Sequence, residues 1–161
     1  MKTLIAYAGT AGATEKCAYL LSKKIGNCKV IDLCRETPEI HKYDLVILGS
    51  NIHMGKIHKK VKNCMNQMQE ELKEKKHAFF ISNAFPEQAE AFFIQNISQE
   101  LLSTAICVAS FGGELDLAKL KGMDKFIAKM VTNATKGDES KIPHILEDRI
   151  QTFADTISEV K

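Results

Sequence analysis

The chain has 161 residues, of which 45% are hydrophobic and 26% are charged, and its formal net charge is +2 at pH 7. This balance is ordinary for a soluble globular protein, and the length allows one domain to bury a core of its own. The apolar run after Met1-Lys2 is too short for a signal peptide, and no run approaches the roughly 20 apolar residues that span a membrane. We therefore expect a single cytoplasmic domain over residues 1–161, with no nucleic-acid partner.

The cysteines give no sign of a disulfide framework or a metal centre. There are 5 of them, an odd number, and none has CxxC or zinc-ligand spacing. We expect reduced thiols, most of them buried as small hydrophobic side chains, and no metal site. They are Cys17, Cys28, Cys34, Cys64 and Cys107.

Apolar runs alternate with amphipathic segments along the chain. The predicted strands are 3–8, 29–33, 44–50, 77–82 and 105–111. The central runs are continuous rather than alternating, which is typical of parallel strands covered on both faces. Three helical stripes lie between or after them: Val61, Cys64, Met65, Met68 and Leu72; Ala89, Phe92, Phe93 and Ile97; and Leu146, Ile150, Phe153, Ala154 and Ile157. The pattern predicts a doubly wound α/β domain with its ligand at the carboxyl ends of the strands.

The first predicted strand ends in a loop of small and hydroxyl-bearing residues, and a helical pattern follows at once. Free backbone N–H groups and the positive end of a helix dipole hold a phosphate there with little side-chain charge. The loop lacks the Gly-Lys-Ser/Thr of a Walker A motif, the three spaced glycines of the dinucleotide fingerprint, and the acidic residues of a receiver domain. A tight turn that binds nothing has the same pattern. The candidate phosphate-binding residues are Thr10, Ala11, Gly12, Ala13 and Thr14.

Two further loops follow the third and fourth predicted strands at the same sheet edge. The candidates after the third strand are Ser50, Asn51, Ile52, His53, Met54 and Gly55. Those after the fourth are Asn83, Ala84 and Phe85. The alternative is that Gly55 only ends a loop and that Phe85 only packs.

These loops resemble those of the flavodoxins. Residues 4–15 are similar to the loop that wraps the phosphate of FMN in that family. The Met54-Gly55 pair resembles the turn that touches the flavin edge, and 83–86 resembles the turn beside the ring. The resemblance implies FMN as cofactor. It also implies a flavodoxin-like, five-stranded parallel sheet in the order 2-1-3-4-5 with helices on both faces.

A closer resemblance is to the flavodoxin-domain protoporphyrinogen oxidases that use menaquinone. It is carried by 49–58, by Ala78-Phe79-Phe80 with Asn83, and by Asp124-Lys125-Phe126 with Lys129. It implies an FMN-dependent oxidoreductase that takes hydrogen from a porphyrinogen and passes electrons to a quinone-like acceptor. The alternatives are a flavodoxin-type electron-transfer protein with a protein redox partner and a flavin-free binding domain.

The charge of the predicted flavin rim is positive. Its basic residues are His53, Lys56, His58, Lys59, Lys60 and Lys62. Flavodoxin electron carriers resemble one another in being acidic, whereas positive charge favours anionic reduced flavin and attracts carboxylate-bearing small molecules. His53 and Lys56 are therefore candidates for flavin tuning or substrate binding. The three lysines at 59, 60 and 62 also fit an ordinary solvated helix face.

Residues 117–136 predict an additional amphipathic helix. Its apolar face carries Met123, Phe126, Ile127, Met130 and Val131, and its basic face carries Lys121, Lys125 and Lys129. A packed helix with a solvated basic face is one interpretation. Weak peripheral contact with an anionic membrane is the other. No feature of the sequence predicts an oligomeric state.

Overall fold

A parallel sheet forms the centre of the computed structural model, which describes residues 1–114, 126, 129, 133 and 142–160. The parallel strands are β1 (Thr3–Ala8), β2 (Cys28–Asp32), β3 (Leu45–His53), β5 (Lys76–Ser82) and β6 (Val108–Ser110). Their spatial order is β2-β1-β3-β5-β6, and β4 (Lys56–Ile57) pairs antiparallel with β3 off this path. With β4 set aside, the five parallel strands have the predicted order 2-1-3-4-5. The predicted fold class is confirmed.

Helices cover both faces of the sheet. In the continuously described ranges 1–114 and 142–160 they are α1 (Ala13–Ile25), α2 (Lys59–Gln67), α3 (Gln69–Glu74), α4 (Ala89–Asn96), α5 (Gln99–Thr104) and α6 (Glu147–Glu159), with 3₁₀ turns at Ile40–Lys42 and Pro86–Gln88. One core cluster joins the sheet to α1 and α6, and the other joins it to α2 through α5. Because both faces are covered, all six residues of β1 are buried, as a continuous apolar run predicts.

Three element boundaries differ from the sequence prediction. The stripe from Val61 to Leu72 is divided between α2 and α3, because Met68 leaves the helical conformation with φ −116°. The last strand is limited to β6, where its pairing with β5 runs from Val108 to Ser110. The third strand continues to His53, because its end pairs with β4 rather than entering a loop.

The predicted helix 117–136 lies outside the described residues except for Phe126, Lys129 and Asn133, which are helical and exposed. Among the described residues, no helix is both long and apolar enough to cross a membrane. The same residues contain no cluster of three or more side chains suited to hold a metal ion.

Gly49 is the tightest point of the central sheet. It pairs with Phe80 between β3 and β5, and a Cβ placed on Gly49 would lie 2.0 Å from the end of the Phe80 ring. Phe80 is only 1% exposed and stacks on Phe111 with ring centroids 4.8 Å apart, so the ring has little room to move.

We expect Gly49→Ala to lower the free energy of unfolding by about 1–3 kcal/mol through overpacking. Denaturant titration measures the loss. The double variant Gly49→Ala/Phe80→Leu should recover part of it, because the smaller side chain vacates the space of the ring. If the losses of unfolding free energy from the two single substitutions simply add in the double variant, overpacking against Phe80 is not the cause.

Candidate functional site

A cavity of about 420 Å³ lies at the carboxyl ends of β1, β3 and β5. This volume is within the range of small-molecule sites. All of the predicted site residues line it except Gly12, Ser50 and Lys56; those lining it are Thr10, Ala11, Ala13, Thr14, Asn51, Ile52, His53, Met54, Gly55, Asn83, Ala84 and Phe85. The cavity is also lined by Ser82, Gln88, Phe92, Gly113 and Glu114, which the sequence analysis did not select.

The loop after β1 leaves a helix N-terminus uncapped at the cavity. Gly12 has the left-handed φ of 86° that starts α1, and its position has no side-chain cap. Among the described residues, the backbone N–H groups of residues 11–14 have no acceptor, and the first intrahelical bond runs from Lys16 N–H to Gly12 O. These N–H groups and the helix dipole together suit an anionic ligand.

The Thr14 hydroxyl is engaged within the protein. Thr14 is 1% exposed, and its Oγ1 lies 2.6 Å from Ser82 Oγ at the end of β5. A Cβ on Gly9 would lie 2.5 Å from the same Oγ1, so the loop closes tightly over this pair. The hydroxyl pair ties the start of α1 to the sheet. The other loop hydroxyl, on exposed Thr10, accepts a hydrogen bond from Asn51 Nδ2 at 3.1 Å.

The segment after β3 is a β-hairpin and not the predicted loop. Ile52 pairs with Ile57 and His53 with Lys56, and the two residues between them, Met54 and Gly55, have φ of 50° and 77°. Positive φ at both central positions is typical of a type I′ turn, whose twist matches the paired strands. The tip of this hairpin forms one wall of the cavity, whereas Lys56 stands outside the lining.

Ser50 holds the base of the hairpin and does not line the cavity. Its side chain is 2% exposed, and its hydroxyl donates to Asn51 O and accepts from His58 N–H, both at 2.8 Å. The chain that leaves the hairpin is thereby fixed beside the strand that enters it.

His58 is the N-cap of α2 and adds no positive charge to the rim. Its Nδ1 accepts from Lys60 N–H at 3.2 Å, which requires an unprotonated nitrogen, and burial lowers the pKa of His58. The positive charge lies instead on Lys56, Lys59, Lys60 and Lys62, all exposed. Within the described part of the chain, none of these lysines forms an ion pair.

Asn83 shapes the opposite wall through its own hydrogen bonds. Its side-chain oxygen accepts from Ser110 Oγ at 2.5 Å, and its Nδ2 donates to Phe85 O at 2.6 Å. A Cβ on Gly113 would lie 3.2 Å from the Asn83 backbone, so the wall depends on this close approach. Phe85 and Met54 lie at the open side of the cavity, where Phe85 is 40% exposed and Met54 is 72% exposed.

Three of the five lining residues that were not predicted follow one topological rule. Ser82 ends β5, and Gly113 and Glu114 follow β6, so all three lie at carboxyl ends of parallel strands. Applying that rule to the fifth predicted strand would have found the last two. Glu114 forms an ion pair with Lys16 at 2.7 Å, which joins this loop to α1.

The cysteines provide no reactive thiolate to the cavity. All 5 are free. Burial raises the pKa of Cys17 to about 12, of Cys64 to about 11 and of Cys107 to about 12, so these three remain thiols at neutral pH. Cys17 and Cys64 are buried, Cys28 and Cys107 are partly buried and Cys34 is exposed, so the expectation that most of the cysteines are buried is wrong.

Solved structures share the fold at low sequence identity. Oxidised flavodoxin 1 from Bacillus cereus is 17% identical with a TM-score of 0.59, over 99% of this chain and 98% of that chain. A flavoprotein from Lactobacillus acidophilus, solved in complex with FMN, is 18% identical with a TM-score of 0.54, over 68% of this chain and 92% of that chain. Rubredoxin:oxygen oxidoreductase from Desulfovibrio gigas is 16% identical with a TM-score of 0.56; the match covers 99% of this chain and 35% of that chain.

Sequence comparison identifies the family. Comparison with curated protein sequences gave no match. The profile of the family described as Flavodoxin domain matches residues 4–141, which is most of the sequence and includes every loop that borders the cavity. The chain therefore belongs to the flavodoxin domain family.

Proposed function

We propose that the protein binds FMN in the cavity and uses it to transfer electrons. The observation that carries this proposal is the uncapped start of α1, where the N–H groups of residues 11–14 have no acceptor among the described residues. The Lactobacillus acidophilus flavoprotein was solved in complex with FMN, which supports the choice of ligand. Bound FMN would supply one- and two-electron redox chemistry, as cofactors do in such proteins.

The protein's own residues would bind and orient the cofactor. The loop 10–14 would hold the phosphate, chiefly through backbone N–H groups, since the Thr14 hydroxyl already pairs with Ser82. The hairpin residues Met54 and Gly55 would hold the ring from one wall, and the turn 83–85 would hold it from the other. The apolar side chains among them would exclude water from the ring.

We further propose an oxidoreductase that removes hydrogen from a small carboxylate-bearing substrate, resembling protoporphyrinogen oxidase, and passes the electrons to a quinone-like acceptor. The exposed lysines at 56, 59, 60 and 62 support an anionic substrate, because no ion pair within the described residues neutralises them. An electron-transfer protein with a protein redox partner is the second candidate. The exposed apolar side chains of Met54 and Phe85 favour it, since such residues suit a protein contact.

FMN should bind at least about 100-fold more tightly than riboflavin, because two charge-assisted hydrogen bonds to the phosphate contribute about 1.5 kcal/mol or more each. Quenching of flavin fluorescence on titration measures both affinities. Ala13→Asp places a carboxylate in the first turn of α1, where it suits the helix dipole but repels a phosphate. Ala13→Asp should lower the affinity for FMN and leave the affinity for riboflavin unchanged. The neutral substitution Ala13→Asn should lower the affinity for FMN much less. Equal affinities for FMN and riboflavin in the unmodified protein would refute the phosphate site.

Lys56→Glu should lower the midpoint potential of bound FMN, because it replaces a positive charge near the cavity with a negative one. Lys56→Gln should produce about half the shift, since it removes one unit of charge instead of reversing it. Both shifts should shrink with salt, as the Debye length falls to about 8 Å at physiological ionic strength. Potentiometric titration at two salt concentrations tests this. Unchanged potentials in both variants would leave Lys56 without a tuning role.

Anaerobic single-turnover mixing separates the two candidate functions. If the substrate is a porphyrinogen, FMN-loaded protein in at least threefold excess should lose its flavin absorbance while porphyrin absorbance appears, because each flavin accepts two of the six electrons that the oxidation releases. The combined variant Lys59→Gln/Lys60→Gln/Lys62→Gln should slow the bimolecular phase at low salt and leave the FMN affinity intact. Absence of flavin reduction by porphyrinogen, with rapid reduction by a protein reductant, would favour the electron-transfer protein.

A further inference from the structure

Asn96, the last residue of α4, contacts the back of the cavity's hairpin wall. Its Oδ1 accepts from Ile57 N–H at 3.1 Å, and its Nδ2 donates to Gly55 O at 2.9 Å and to Phe92 O at 2.8 Å. Both protons of the amide are used. Asn96 is half-buried and does not line the cavity, whereas Gly55 does. One side chain therefore anchors both the turn, at Gly55, and the strand β4 that follows it, at Ile57.

The hairpin needs such an anchor. Its ladder has only two residue pairs, Ile52 with Ile57 and His53 with Lys56, and a ladder this short is marginal alone. Met54 holds a φ of 50°, a left-handed conformation that disfavours a non-glycine residue by about 1–2 kcal/mol. Contacts outside the hairpin must therefore maintain this turn. Asn96 supplies two hydrogen bonds that do so.

We infer that Asn96 is a positioning residue that keeps the Gly55 carbonyl directed to α4 and thereby withholds this acceptor from a ligand in the cavity. The hydrogen bond from Nδ2 directs the Gly55 carbonyl towards α4, so this peptide must turn and give up the bond before its oxygen accepts from a donor in the cavity. The consequence for redox chemistry rests on the proposed FMN binding. Reduction gives the flavin ring an additional N–H donor, and a carbonyl held by Asn96 stabilises that donor less than a free one would.

Removing the Asn96 donor should raise the midpoint potential of bound FMN. In Asn96→Ala the Gly55 oxygen is left without its partner, which favours binding of the reduced ring over the oxidised ring. The ratio of the two affinities should rise by up to about tenfold, the worth of one hydrogen bond, which corresponds to about 59 mV for a one-electron couple. The substitution changes no charge, so an electrostatic shift does not contribute.

Gln95→Ala is the matched control. Gln95 precedes Asn96 and is exposed, and its side chain makes no hydrogen bond among the described residues, although its Oε1 lies 3.8 Å from where a Gly55 Cβ would stand. The potential of this variant should equal that of the unmodified protein. A potential in Asn96→Ala that does not exceed the Gln95→Ala value would overturn the inference while leaving FMN binding intact.

Amide hydrogen exchange in the ligand-free protein tests the anchor without FMN. Asn96→Ala should accelerate exchange at Ile57 N–H at least tenfold beyond the change at buried β1 amides. Asn96→Asp keeps an acceptor for Ile57 but loses the donor to Gly55, so it should retain most of the protection at Ile57. Unchanged exchange at Ile57 in Asn96→Ala would overturn the anchor. Absence of FMN binding by the unmodified protein would instead overturn the proposed function and the redox part of this inference.

Discussion

The parallel register of β1, β3 and β5 determines where the functional loops meet. Ala8 pairs with Ser50, and Asn51 pairs with Ser82, so the parallel pairing of the three strands ends at one level and the segments that follow surround one cavity. Helices cover both faces, and a slip of one residue would send each buried side chain to the opposite face. The apolar pattern therefore determines the register, and the register determines the position of the site.

The close approach at Gly49 and the hydroxyl pair at Thr14 connect this register to the loops. Phe80 fills the space beside Gly49 and stacks on Phe111, which packs edge-on against Phe153 of α6. At the end of β5, Ser82 bonds the first turn of α1 through Thr14. The start of α1 is thus fixed to the sheet by a side chain, which leaves its backbone N–H groups for a ligand.

Features that depend on local pattern could be predicted from the sequence. Continuous apolar runs predicted the strands, because strands that are buried on both faces carry few polar residues. The order of the strands was implied by the resemblance to the flavodoxins and not by these runs. The small residues between β1 and α1 predicted a loop that leads into a helix, because this pattern too is contained in neighbouring residues of the sequence. These two inferences were enough to place most of the candidate residues around one cavity.

Features that depend on distant partners could not be predicted in this way. The hairpin at Met54 and Gly55 requires pairing of β3 with β4 and the side chain of Asn96 from another helix. The Thr14 hydroxyl is engaged by Ser82, 68 residues away along the chain. Likewise, the sequence predicts His58 as part of the positive rim, but its position as the N-cap of α2 keeps the imidazole neutral. In each case the chemistry of the residue is set by a neighbour that periodicity does not reveal.

The N-termini of α1 and α2 differ in their caps and in the charges of their first turns. α1 begins without a cap and carries an acidic residue, Glu15, in its first turn. α2 begins with a neutral histidine cap and has no acidic residue in its first turn, which instead contains lysines. Cations at a helix N-terminus are unfavourable by about 0.3–1 kcal/mol each, whereas an anion there is stabilised. The bare α1 terminus suits an anion held by backbone groups, while the lysines of α2 extend positive charge into solvent. The proposed cofactor phosphate would therefore bind at α1, and the proposed anionic substrate would be attracted by the lysines of α2.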